Sequence, residues 1–185
     1  MNHNSPLIDP STRFRVCTLK QIDQPYITET LLFMWREIAL IKSKTEEIKR
    51  SEKQLFIASS RMAASINTYV NEGDLLNPNT HLYLCRDQNN HPQALILFTQ
   101  KNTSIEIEIM VTNPKNIRSI ANIHERDKVK GAASFLLKQA EALAKKNNLG
   151  VELTYLPVAR EFYIKNGYTE APHDRMVKPI EKNPI

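Results

Sequence analysis

Two stretches of the chain carry residue types that could do chemistry. The first is Lys128-Val-Lys-Gly-Ala-Ala-Ser134, where a loop turns on Gly131 and a long amphipathic pattern begins. The chain has only four glycines, and one placed just before a helix lets backbone approach a ligand closely because it has no Cβ. A helix starting near Ala132 leaves its first N–H groups without acceptors and turns its positive end outward, which favours phosphate there. Lys128 and Lys130 add mobile positive charge. The pattern suits a pyrophosphate cradle, and a plain helix start between lysines would also produce it. The second stretch is Ile105-Glu-Ile-Glu-Ile-Met-Val111. Its alternation predicts a strand with Ile105, Ile107, Ile109 and Val111 on one face and Glu106, Glu108 and Met110 on the other. Either glutamate could serve as a general base, or both could be exposed edge carboxylates. His81, His124 and His173 are alternative bases, although isolated histidines are more often surface residues; His124 lies nearest the glycine loop.

The elements that must position these residues follow from hydrophobic period. Residues 1 to about 12 are polar with two prolines and predict a disordered arm. A single domain then spans 13–180, followed by a polar tail at 181–185. Phe14, Val16 and Thr18 alternate as in a strand. Pro25 introduces a helix whose apolar stripe is Leu31, Met34, Trp35, Ile38 and Ile41, with Trp35 as a core anchor. The charged segment Lys42 to Lys53 interleaves Glu46, Glu47 and Glu52 with its basic residues and reads as a solvated face. Leu55, Ser59, Met62, Ala63, Ile66 and Val70 mark a second helix, closed by Asn71-Glu-Gly73.

A meander of strands at 81–86, 94–99 and 105–111 comes next and stops at Thr112-Asn-Pro114. From Lys115 to Asp127 neither period is clear, and an irregular ligand-covering segment and a short helix fit equally. After Gly131 the stripe Ala133, Leu136, Leu137, Ala140, Leu143 and Ala144 runs to a C-cap at Asn147-Asn-Leu-Gly150. A buried strand, Val151 to Leu156, precedes Pro157, which fits the first turn of a last helix over Val158 to about Lys165. Tyr168 to Ile180 is expected to return as one final strand.

Composition narrows the class. At 185 residues, 41% hydrophobic and 24% charged, the chain is an ordinary globular domain able to bury a core. A formal charge of +5 and a pI near 9.2 permit anionic ligands without choosing among them. Cys17 and Cys85 lie far apart in apolar stretches with no Cys/His ligand spacing, so buried thiols are expected and no metal site is. No apolar run approaches the roughly 20 residues of a membrane helix, and the N-terminus lacks a signal-peptide pattern. The expectation is a cytoplasmic protein, with export by a route lacking a cleaved signal left open.

The order strand, Thr-Asn-Pro, Lys-x-x-Gly-x-Ala, long helix, strand, then Phe162-Tyr-Ile-Lys-Asn-Gly-Tyr168 resembles the GNAT superfamily of acyl-CoA-dependent N-acetyltransferases. Residues 105–168 carry the likeness; for 13–100 it rests on element order. Lys128 stands where the family motif usually has Arg or Gln, the connection from Pro114 to Lys128 is long, and Leu156 replaces an asparagine common after the fifth strand. The resemblance implies an α+β (α/β) fold, a mixed and mostly antiparallel central sheet flanked by helices, with a V-shaped splay between the fourth and fifth strands. It implies acetyl-CoA as co-substrate, no metal, and transfer of the acetyl group to a primary amine of a small molecule or protein by direct attack in a ternary complex.

Under that resemblance the backbone of Ile109, Met110 and Val111 pairs with the pantetheine arm. Lys128, Val129, Lys130, Gly131, Ala132, Ala133 and Ser134 hold the pyrophosphate. Tyr163 matches the tyrosine that faces the thioester sulfur and would protonate the departing thiolate, a core aromatic being its bland alternative. Glu106 or Glu108 would relieve the ammonium of its proton. No membrane partner is implied and nucleic acid is not expected, although an aminoacyl-tRNA acceptor and a homodimer stay open. A catalytically weak GNAT-fold module that binds acyl-CoA or a partner protein is the alternative function.

Overall fold

The computed structural model describes residues 13–44, 50–117 and 130–179. Seven strands form one sheet: β1 (Phe14–Leu19), β2 (Thr80–Asp87), β3 (Pro92–Gln100), β4 (Ser104–Thr112), β5 (Gly150–Thr154), β6 (Thr169–Ala171) and β7 (Arg175–Lys178), in the order β1-β2-β3-β4-β5-β7-β6. Only β4 and β5 run parallel; every other neighbour is antiparallel. A π-helical segment (Tyr26–Leu32) runs into α1 (Phe33–Ser43), and α2 (Arg50–Asn71) lies beside it. α3 (Ala132–Lys146) supplies the crossover between the parallel pair, and a short α4 (Arg160–Lys165) follows the turn opened by Pro157.

Both faces of the sheet are covered. On one, Phe14, Ile96, Ile105 and Ile107 pack with Leu136, Leu137 and Ala140 of α3. On the other, Leu82, Leu84, Leu95 and Leu97 meet Trp35 and Ile66 of the first helices. This is why β3 can be apolar without alternation: Ala94 to Phe98 are all buried, each face of the strand having its own cover. Cys17 and Cys85 are free thiols on adjacent strands whose side chains enter opposite cores. No helix among the described residues is long and apolar enough to cross a membrane.

Four details differ from the expectations, each for a local reason. The alternation of β4 breaks at Glu108: Leu97 pairs with Ile109 and Phe98 with Ile107, so Glu108 is an extra residue, a β-bulge. Ile105 and Ile107 therefore face α3, whereas Ile109 and Val111 face α1 and α2. In the first helix the π turns rotate the buried stripe onto Ile27, Leu31, Leu32, Trp35 and Ala39, leaving Met34 43% and Ile41 67% exposed. The charged segment after α1 is not wholly solvated, since Glu52 is buried and Lys42 donates to the carbonyl of Pro114 and lies over the ring of Phe56. The last strand is a hairpin, β6 and β7, turned by His173 and Asp174, both at positive φ.

Candidate active site

The site is built where the parallel pair comes apart. β4 is nine residues long, yet its pairing with β5 stops at Ile107 opposite Leu153. The bulge at Glu108 bends β4 away at that point. β5 ends two residues short of the expected Leu156, and Tyr155 instead donates its N–H to Asp174 beside β7 at 3.1 Å. The strands diverge as a V, and the backbone edge of Ile109, Met110 and Val111 that faces β5 has no partner strand among the described residues.

A cleft of about 230 Å³ fills the opening. Met110, Val111 and Thr112 form one wall; Leu156, Ala159 and Phe162 form another; Ala133 of α3 closes one end, and Leu55, Ala58, Ser59 and Met62 of α2 form the roof. None of its described lining residues is charged. Two larger depressions exist, of about 480 and 450 Å³, but neither touches β4 or the start of α3.

The glycine loop meets this cleft from the side. Lys128, Val129 and His124 lie outside the described residues. Gly131 stands at the N-cap of α3 with φ +95°, a left-handed conformation that disfavours any residue with a Cβ. A Cβ there would lie 3.7 Å from the Phe14 ring, an ordinary contact, so the backbone angle and not the space calls for glycine. The first helical acceptor is used by Phe135, whose N–H donates to Gly131 O at 2.9 Å. The amides of Ala132, Ala133 and Ser134 precede it, and among the described residues no side-chain cap is made at this end. Ala132 is buried and anchors the turn to the core, Ala133 touches the cleft, and Lys130 is exposed beside it.

Glu106 and Glu108 face α2, on the β4 segment just before the cleft. Lys101 Nζ sits 3.6 Å from the Glu106 carboxylate. Glu108 has no such salt bridge among the described residues: burial raises its carboxyl above the usual range, the charge of Glu106 adds to that, and Lys101 and a hydrogen bond from Thr99 oppose it. Tyr69 of α2 overlooks the pair, its phenol pushed up first by burial and then by the charge of Glu108. Glu108 is two residues from Met110, about 7 Å along an extended strand.

Tyr163 on α4 is buried in the α3-side core, 7% exposed, its ring 5.1 Å from Phe162 and 5.9 Å from Tyr168. Burial pushes its phenol up to about 12, so it holds its proton throughout the neutral range. The neighbouring Phe162, rather than Tyr163, lines the cleft. His81 is not a free surface base: it stacks on Phe98 at 5.0 Å, and burial lowers its pKa. The resemblance pointed to the first two helices and the final strands for the acceptor side, but no residue of α2 could be singled out in the sequence, because Leu55, Ser59 and Met62 looked like an ordinary core stripe. The one available signal was the hydroxyl of Ser59 within it.

No protein-family model matches the chain, and no curated protein matches it in sequence. Solved structures match it in three dimensions. PaiA N-acetyltransferase of Thermoplasma acidophilum, in complex with coenzyme A, aligns with a TM-score of 0.54 at 15% identity, covering 90% of this chain and 97% of that one. An acetyltransferase of the GNAT family from Staphylococcus aureus gives 0.55 at 14% identity, covering 86% and 87%. The dodecameric spermidine N-acetyltransferase of Vibrio cholerae gives 0.50 at 14% identity, covering 90% and 94%. At these identities the likeness is one of fold.

Proposed function

We propose, from the premise that this chain has the fold of the GNAT acetyltransferases, that it transfers an acetyl group from acetyl-CoA to a primary amine held in the cleft. The observation that carries the reading is the parallel β4–β5 pair opening after Ile107, beside an uncapped helix N-terminus at Gly131. An extended amide-bearing arm can replace the missing strand along Ile109 to Val111. The amides of Ala132, Ala133 and Ser134, uncapped among the described residues, can receive a pyrophosphate, and Lys128, Val129, Lys130 and Gly131 are assigned to the same cradle. The coenzyme A complex among the matched structures supports the same ligand class.

In this reading acetyl-CoA supplies an activated acyl carbon, and the protein supplies position and proton management. Glu108 is the base that frees the attacking amine, directly or through water, because burial has raised its basicity and, unlike Glu106, it has no ion-pair partner among the described residues. The acid that returns a proton to the leaving thiolate is assigned to Tyr163, which keeps its proton at neutral pH and stands directly behind Phe162 of the cleft wall, so that this role requires its hydroxyl to reach past that ring. The apolar cleft keeps water from competing as nucleophile.

The test incubates the protein with acetyl-CoA and separate amines of several classes (arylalkylamines, polyamines, amino acids, aminoglycosides, peptides and aminoacyl-tRNA) and follows free CoA. Release stimulated by one class supports the proposal. Gly131→Glu, which puts bulk and negative charge into the cradle, should abolish acetyl-CoA binding; tight binding by that variant would show the loop misassigned. Acetyl-CoA binding with no release for any amine would instead favour an acyl-CoA-binding module, a reading to which the exposed Leu156 in the cleft also lends itself.

A further inference from the structure

The first helix carries apolar side chains on its outward side. Phe33 is 61% exposed, Met34 43% and Ile41 67%, whereas the opposite side buries Trp35 and Ala39. Phe33, Glu37 and Ile41 follow at i, i+4 spacing and share a face, and Glu29 stands about one turn before Phe33 in the π-helical segment. Charge is spread unevenly along this face: Glu29 lies at its start, Lys44 at its end, and Arg36 and Glu37 between them. All four are exposed, and none forms a salt bridge among the described residues. A groove of about 480 Å³ lies beside them, lined by Phe33, Thr28, Glu29, Asn67 and Asn71. Single exposed apolar side chains are ordinary on a protein surface; several on one helix face, bordered by charges with no partner of their own, mark a contact surface.

We propose that this face binds a second copy of the chain, the two first helices pairing antiparallel about a two-fold axis between Arg36 and Glu37. In a two-fold contact residue i meets j wherever j meets i, and the order of residues on this face is complementary to its own reverse. Phe33 lies against the partner's Ile41, Glu29 beside the partner's Lys44, and Arg36 beside the partner's Glu37. Each apolar group meets an apolar group and each charge meets its opposite, twice over. The partner's Lys44 reaches the mouth of the groove, whose polar lining is Glu29, Asn67, Asn71 and Thr28. A parallel pair would oppose Glu29 to the partner's Glu29 and align the two helix dipoles. From Glu29 to Lys44 the face is about 24 Å long, a small contact, so the dimer is of micromolar strength. None of the described residues lining the cleft lies on this helix, so the pairing stands apart from the transferase reading.

The experiment is sedimentation equilibrium of the full chain at low salt, from roughly 1 to 200 μM. Wild type should pass from monomer to dimer across that range. Phe33→Glu should weaken the dimer roughly tenfold or more and keep its melting temperature, because the ring it replaces is mostly exposed. Glu29→Lys should weaken the dimer severalfold, and adding Lys44→Glu should restore it, a rescue that the antiparallel pairing gives and a parallel one does not. This exchange carries the test if Phe33→Glu fails to fold. Ile164→Glu, at an exposed isoleucine of α4, should leave the dimer as it is. A wild type that stays monomeric throughout would leave the face to an unlike protein or a lipid surface and overturn the proposal. So would a dimer indifferent to Phe33→Glu, one weakened equally by Ile164→Glu, growth beyond the dimer, or a charge exchange that restores nothing.

Discussion

The two halves of β4 are built from nearly the same residues and do opposite work. Ser104 to Ile107 lies between two strands, with Ile105 and Ile107 in the α3-side core. Glu108 to Thr112 keeps only β3 as a neighbour, sends Ile109 and Val111 into the other core, and turns Met110 and Thr112 to the cleft. One inserted residue separates a half paired on both sides from a half with one open edge. A strand becomes a binding edge when it loses a partner on one side while its apolar side chains stay packed on a sheet that is covered on both faces.

Substitutions within each half break this contrast most directly. Ile107→Ala should cost about 2–5 kcal/mol of stability, because Ile107 is 3% exposed and held by strands on both sides. Met110→Ala, half-buried at the cleft, should cost about 1 kcal/mol and act mainly on acetyl-CoA binding. Urea denaturation alongside a binding titration measures both. Equal stability losses would mean that the second half is as structural as the first.

Glu108→Gln addresses the residue at the junction. As the proposed base, its loss should lower kcat/KM about a hundredfold and remove an acid limb that lies above the ordinary carboxylate range. Stability should move the other way. The folded protein raises this pKa, so it loses relative stability as pH rises through the interval between the unfolded and folded values, and at neutral pH the buried charge is a standing cost. Glutamine removes that cost. The variant should be the more stable protein at pH 7, with the difference vanishing in acid, as denaturation at several pH values would show. A smaller effect is expected for Tyr163→Phe: turnover about tenfold lower with acetyl-CoA affinity nearly unchanged, since the substitution removes only the phenol hydroxyl.

Elements with a strong local signal were legible in the sequence. The meander, the helix after Gly131 and the turn at Pro157 each follow from period, glycine or proline, and they position the cleft. The bulge was not legible: Ile-Glu-Ile-Glu-Ile is an unbroken alternation, and the slip is fixed by how β3 seats Leu97 and Phe98 against it. The π turn was hidden because Leu31, Met34 and Trp35 fit an ordinary helical stripe as well as the observed Leu31, Leu32 and Trp35 do. The β6–β7 hairpin turns on His173-Asp174, which lacks the Asn-Gly signature of such turns. That Leu55, Ser59 and Met62 roof the cleft depended on which side of α2 faces the gap, a tertiary fact.

The arm of the V formed by β5 offers the finest distinction from the β4 arm. Arg160 of α4 donates to both carboxylate oxygens of Glu170 on β6, at 2.8 and 2.6 Å, and Tyr155, just past β5, donates to the same group at 2.8 Å. These bonds from Arg160 and Tyr155 hold the Glu170 carboxyl down at about 2. A depressed acid stabilises the fold above its unfolded pKa, and that contribution disappears as pH falls through the folded value. Glu170→Gln should therefore destabilise slightly at neutral pH, less at high salt because the cluster is exposed, and not at all well below the folded pKa of about 2. The acid limb of the rate profile should stay where wild type has it, since that limb belongs to Glu108. If Glu170→Gln moved the limb, the two arms would be coupled through the cleft, and the β4 edge would depend on how the β6–β7 hairpin holds β5.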